Sequence, residues 1–311
     1  MTAATLMRLI LLGEAVLYAC VARFLWGAHW PVAAIVFVVV WMALAGRGLI
    51  VFTTYALAHL FRTPLAPEQR IGPVVFLRMA VAEYAAFVAA FSVVQPFERF
   101  FLGADRLAQS AGRPPVLLVH GYQCNRGFWR WQRARLERAG WTVATLNLDP
   151  VFAPIDSYGA LIHGRIEEIC AATGAAQVVL VGHSMGGLAA RAYLRRNGTA
   201  RVAKLITLGT PHHGSRLARL GRGANAREME PGSAWLAALN APGAAPLPAD
   251  SVSLRSPYDN YVMPQDNALL PGARNLALGP VGHLAMAFSP AVTQFLLAEL
   301  DASHTSDLHN A

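Results

Sequence analysis

The chain has 311 residues, 55% hydrophobic and only 14% charged, a balance that excludes a disordered polymer and points to lipid contact. Its 26 Lys and Arg against 18 Asp and Glu leave a net charge of +8, spread over the whole length without a dense basic block, so nucleic acid is not expected as a partner. Three cysteines make no disulfide framework, and no Cys/His spacing suggests a metal.

Three apolar segments open the chain: Met7–Trp26, Val32–Leu60 and Pro73–Val94. About 20 apolar residues cross a hydrocarbon core, so residues 1–100 are expected to form an all-helical membrane region of about three spans. A cleaved leader fits the first segment poorly, because its apolar run is too long, no small-x-small site ends it, and further apolar segments follow. Arg8 precedes the first span, Arg47, Arg62 and Arg70 lie late in or after the second, and the loop around His29 carries no Lys or Arg. The positive-inside rule then places the N-terminus and the 61–72 loop in the cytoplasm. Three crossings would put everything after Gln95 outside the inner membrane, in the periplasm of a bacterium that has one. Two short passes in the second run would leave it cytoplasmic instead. Glu14, Arg78 and Glu83 fall within the spans, where an ionisable group is either functional or internally paired, for example Glu14 with Arg78.

Beyond residue 100 strands and helices alternate. Pro115–Val119 reads as a strand ending in His120-Gly121-Tyr122-Gln123, where glycine lets the backbone approach a substrate. Trp129–Ala139 reads as a helix whose Arg130, Arg133, Arg135 and Arg138 cover more than one face, as on a solvated surface or one meeting anionic head groups. Trp141–Leu146 is a strand, Ile155–Ala172 a helix, and Val178–Val181 a strand running straight into Gly182-His-Ser184-Met-Gly186-Gly187 and a helix to Asn197. Strand, tight turn and helix around Gly-x-Ser-x-Gly are what a nucleophile elbow requires. A strand follows at Arg201–Leu208. The stretch 211–249 is rich in Gly, Ala and Pro with one amphipathic piece, Ser233–Leu239, and suits a lid or a plain surface excursion equally. Strands at Ser251–Leu254 and Arg274–Leu278, a helix at Pro290–Leu300 and a flexible tail over 303–311 complete the chain. Alternation of this kind predicts a mostly parallel sheet with helices on both faces, over residues 101–302.

A serine hydroxyl needs a base to take its proton and a third group to orient that base. Asp259 and His283 each lie just past the C-terminal end of a predicted strand, the edge where Ser184 sits and where ligands bind in such sheets. Asp250 precedes its strand and falls at the wrong edge; Asp266, later in a loop, is the reserve acid. His120, His183, His212 and His213 all precede Asp259, so chain order speaks against them as base. His120, Gly121, Gln123 and His183 are expected to bind substrate or support the site. The N–H groups of Met185 and Tyr122 are the expected oxyanion donors.

The segments Val119-His-Gly-Tyr122, Gly182-His-Ser-Met-Gly-Gly187, Thr207-Leu-Gly-Thr-Pro-His-His-Gly-Ser215, Ser256-Pro-Tyr-Asp-Asn-Tyr-Val262 and Gly272-Ala-Arg-Asn with Gly282-His-Leu284 resemble those of bacterial triacylglycerol lipases and esterases of the α/β-hydrolase superfamily. The resemblance covers roughly residues 113–301. It implies an α/β-hydrolase fold, Ser184, Asp259 and His283 as a triad, and Tyr122 and Met185 as oxyanion donors. Two features depart from it: Gln123 and Cys124 follow His-Gly-x where the family often has another glycine, and the small secreted members lack an apolar N-terminal region. The expected protein is a membrane-anchored serine hydrolase acting on carboxylic esters or lipids, with the bilayer as partner, no cofactor and no metal. Acyl transfer or thioester cleavage by the same triad is the alternative chemistry, and a non-catalytic membrane scaffold the alternative class. Oligomeric state is left open.

Overall fold

A computed structural model describes residues 1–107 and 112–309, with only the backbone from 303 onward. The side chains of the expected 303–311 tail, and its last two residues, lie outside the described residues; its backbone continues the final helix to His309.

The part of the chain after residue 112, the catalytic part in the reading developed below, is built on six parallel strands: β1 (Val116–Val119), β2 (Val143–Thr145), β3 (Val178–His183), β4 (Val202–Leu208), β5 (Val252–Arg255) and β6 (Arg274–Ala277), in the spatial order β2-β1-β3-β4-β5-β6. The central strands β1, β3 and β4 are short, mostly apolar runs buried on both faces, as a sheet covered on both sides demands, whereas the edge strand β6 is largely exposed. Alternation along β1 divides the core. Leu117 and Val119 join one cluster with α6 (Ile155–Thr173) and α7 (Met185–Asn197), while Val116 and Leu118 join a second with α5 (Arg130–Arg138) and α10 (Pro290–His309). Cys124 and Cys170 are free thiols and sit in these two clusters, on opposite sides of the sheet. The elements lie where the sequence places them, with ends moved by a few residues.

α5 is only in part the solvated surface its charge pattern suggested: Arg130 and Arg138 are exposed, but Arg133 is buried and holds Asp105 at 2.7 Å, Arg165 reaches the same carboxylate, and Arg130 and Arg135 lie over the rings of Phe101 and Trp131. Burial of one arginine is offset because its carboxylate partner is buried with it.

The N-terminal third forms three helices long and apolar enough to cross a membrane. α1 spans Ala3–Gly27 and α2 Val32–Leu60, a single unbroken helix rather than two short passes. α3 (Pro73–Val88) continues through a π-helical turn at Ala89–Val94 and a 3-10 turn at Gln95–Phe97 into the short α4 (Glu98–Phe101). Glu14 does not pair with Arg78: it holds Arg47 of α2 at 2.7 Å, whereas Arg78 is exposed on α3.

The helices are fastened to the catalytic part at several levels. Val151 N–H donates to the Met1 carbonyl, and Ala3 N–H to Asp149. In the α2–α3 connection, Thr63 N–H donates to Gln265, Asp266 N–H to the Thr63 hydroxyl, and Ile71 N–H to the Tyr258 hydroxyl. α3 is held along its length, since Glu83 accepts from Leu284 and Ala285, Ala86 and Ala90 enter the second core cluster, and Gln95 bonds to Asn125. The N-terminus and the 61–72 connection are thus joined by hydrogen bonds to the part of the chain that carries the sheet.

Candidate active site

The C-terminal edge of the sheet carries the site. β3 ends at His183, α7 begins at Met185, and Ser184 between them takes φ 55° and ψ −129°. A residue with a side chain reaches this region only at a cost of about 1–3 kcal/mol, sustained by its surroundings. Those surroundings are glycine: a Cβ on Gly182 would lie 2.6 Å from the Gly187 Cα, and one on Gly186 would strike the carbonyls of Val119 and His120. Ser184 N–H, donated to Leu208 O at 2.9 Å, ties the turn to β4.

The residues expected to supply oxyanion donors lie next to segments that flank Ser184. Met185 is the first residue of α7, where an N–H has no intrahelical acceptor and the helix dipole presents its positive end. The β1 loop presses against the elbow from the other side, since a Cβ on Gly121 would sit 2.8 Å from the Ser184 Cβ, and Tyr122 follows directly. The Tyr122 hydroxyl donates to the Arg222 carbonyl and accepts from the Arg222 N–H, both at 2.7 Å, and Gln123 Nε2 donates to the same hydroxyl.

Asp259 and His283 meet as expected. The imidazole Nδ1 lies 2.8 Å from Asp259 Oδ2, with both side chains at most 3% exposed. Asp259 Oδ1 accepts the N–H groups of Tyr261 and Val262 at 2.8 Å each, which holds the carboxyl group in place beside the imidazole. With Nδ1–H donated to the carboxylate, Nε2 carries the free lone pair. Tyr261 stacks on the imidazole at 4.9 Å and His183 tilts against it at 4.5 Å, so the ring has one orientation. Ser184 and His283 line one cavity of about 730 Å³, together with Gly121, Tyr122, Gln123 and His183.

The remaining candidates separate clearly. His183 Nε2–H donates to the His283 carbonyl, and burial first, then the neighbouring His283, pushes its pKa well below the ordinary value; it is a neutral brace. His120 is not part of the cavity wall: it donates to Gly121 O, accepts from Leu148 N–H, and burial lowers its pKa to about 4. His212 is held between Thr207 and Arg191 beneath the surface. The reserve acid, Asp266, pairs with Arg255 at 3.0 Å. Among the described residues, no group of three or more His, Cys, Asp or Glu is placed to hold a metal ion.

Sequence reasoning missed a clasp behind the triad. Glu83 of α3 is fully buried and accepts the N–H groups of Leu284 and Ala285 at 3.0 and 2.8 Å, directly after His283. Asn260 accepts His283 N–H at 3.0 Å and donates to the Thr54 hydroxyl of α2 at 2.8 Å. The loops bearing the acid and the base are thus each tied to a membrane-type helix. The only signal was an isolated Glu in an apolar run, which does not name its partner.

The stretch 211–249 roofs the cavity. It contains α8 (Ala224–Glu228) and α9 (Ala234–Leu239), and Leu217, Ala218, Leu220 and Met229 face inward. Ser215 fastens it to the Tyr261 carbonyl and Asn225 to the Val151 carbonyl.

Residues 114–230 match the family described as α/β hydrolase fold. Two proteins named triacylglycerol lipase are similar to this chain: one from Pseudarthrobacter phenanthrenivorans, 36% identical over 118 residues, and one from Burkholderia plantarii, 36% identical over 126. These matches take in 35% and 38% of this chain and only about a third, 36% and 34%, of the relatives' own length. Among solved structures, the mature Bacillus licheniformis lipase BlEst2 superposes with a TM-score of 0.56 at 22% identity, covering 62% of this chain and 94% of that one. Aspergillus fumigatus lipase B gives 0.53 at 19%, covering 59% and 51%. At those identities the structures speak to the fold alone.

Proposed function

We propose that the chain, whose residues 114–230 match the α/β hydrolase fold family, hydrolyses carboxylic esters, lipids among them, by a serine mechanism. The observation that carries this reading is the pairing of Asp259 with His283, which lines one cavity together with a strained Ser184. Ser184 Oγ attacks the ester carbonyl carbon while its proton passes to His283 Nε2. Asp259 stabilises the resulting imidazolium, and the N–H groups of Met185 and Tyr122 hold the oxyanion, each such donor being worth roughly 3 kcal/mol. Collapse breaks the ester C–O bond, His283 protonates the departing alcohol, and an acyl-enzyme remains. Water then attacks with His283 again as base, releasing the carboxylic acid and the serine. Similarity to the two triacylglycerol lipases supports an acyl ester as substrate.

The apolar helices support membrane attachment. We place the chain in a cytoplasmic membrane, crossed by α1 and α2, with α3 on the surface beneath the catalytic part. Arg8, Arg62 and Arg70 lie on the side shared with the catalytic part, which favours the cytoplasmic face. Turnover of p-nitrophenyl esters of rising chain length tests the activity: hydrolysis lost in Ser184→Ala supports the reading, and hydrolysis unchanged in Ser184→Ala removes it.

A further inference from the structure

The active-site cavity does not stop at the catalytic part. It is continuous with a groove between α1 and α2, and one wall follows the α1 face of Met7, Leu11, Glu14 and Tyr18. From Met7 to Tyr18 that wall runs about 16 Å at the helical rise, the reach of a long acyl chain rather than of a short ester. The groove is apolar where Met7, Leu11, Phe87 and Phe91 line it, and polar at one place, where Glu14 holds Arg47 and Arg47 donates to Ser92 at 2.8 Å. Ile10 of α1 and Ile50 of α2 line the same cavity and yet are 53% and 47% exposed, so the groove opens sideways between them. The two helices that flank that mouth are also apolar on their outer faces, with Leu9, Leu12 and Val16 on α1 and Leu49 on α2 all more than half exposed. An aqueous entrance would be rimmed by polar groups; this rim suits lipid.

Resting on the serine-ester reading, we propose that the substrate is a bilayer ester lipid that enters sideways between α1 and α2. Its acyl chain lies in the groove while its ester reaches Ser184. The chain stays in an apolar environment throughout, so the cost of exposing its methylenes to water does not arise. The roof at 211–249 offers a competing acyl path, past Leu217 to Leu220, itself 71% exposed.

The full chain in phospholipid vesicles is labelled with a hexadecyl fluorophosphonate carrying a diazirine near the end of its alkyl chain, then irradiated. Crosslinks within 7–18 or 46–54 are expected, and crosslinks confined to 215–229 would overturn the proposal. In a second test, Ile10→Trp and Ile50→Trp should lower the ratio of long-chain to short-chain ester turnover at least tenfold. Leu9→Trp, on the outer face of α1, should leave that ratio as it is. An unchanged ratio in both groove variants would also overturn the proposal. A full chain that takes no short fluorophosphonate on Ser184 would instead remove the hydrolase reading beneath it.

Discussion

At the scale of single residues, the site is a set of buried groups held by named hydrogen bonds. In the proposed mechanism Ser184, His283 and Asp259 act as a unit, so Ser184→Ala and His283→Ala should each remove nearly all turnover, with the double variant losing little more. Asp259→Asn should lose less than either, and Asp266→Asn should act only through its surface pair with Arg255. Steady-state kinetics on a soluble ester checks the order, and greater damage from Asp266→Asn would reassign the acid. Glu83 positions the base without touching substrate. Glu83→Ala should lower kcat while leaving KM within about twofold, and Glu83→Asp should restore part of the loss; equal falls in kcat and folded yield would make its role structural only. His120 gives a pH signature. Its folded pKa, about 4, lies below the ordinary value of 6.5, so the unfolded chain binds the extra proton first as pH falls. Its contribution to stability is full above about 6.5 and lost progressively toward 4, at up to about 1.4 kcal/mol per pH unit. His183 and His212, lowered in the same direction by burial, add to it. Thermal unfolding should show a lower Tm at pH 5 than at pH 7, and a flat profile would contradict these neutral buried imidazoles.

At the scale of elements, strands and helices of the catalytic part were legible because each carries its own signal. Val178–Val181 is apolar and branched, Gly182 and Gly186 frame the turn, and the order of Ser184, Asp259 and His283 follows the sheet edge. α3 was not legible in the same way. An apolar helix reads alike whether its neighbours are lipid or a protein core, and only three-dimensional packing shows Met79, Glu83, Ala86 and Ala90 forming one buried stripe. Arg133 escaped for a related reason: helical spacing shows a charge on a face but not the Asp105 that meets it. The stripe bears on where the chain can be cut. A fragment starting near Ala104 keeps all six strands. It lacks the Glu83 and Thr54 contacts and exposes the cluster that Ala86 and Ala90 cover. Expressed alone, it should have little or no activity even on soluble esters, and full activity there would show that the helices serve only for attachment.

At the scale of the whole molecule, the fold places the C-terminal edge of the sheet against its own apolar helices, so that Ser184, His283 and residues of α1 and α2 line one cavity. The two crossings proposed above would leave the chain's C-terminus on the same side as its N-terminus. A fluorescent protein that matures only in the cytoplasm, fused after Ala311, should be bright, and a periplasm-dependent phosphatase fused there should be inactive. The opposite pair of results would restore an odd number of crossings. The measurement that bears most directly on the central claim is mass spectrometry of the full chain after titration with a fluorophosphonate. One adduct per chain is expected, located on Ser184 and rising in step with the loss of ester hydrolysis. No adduct, an adduct on another residue, or hydrolysis that survives complete labelling would contradict a serine mechanism at this site.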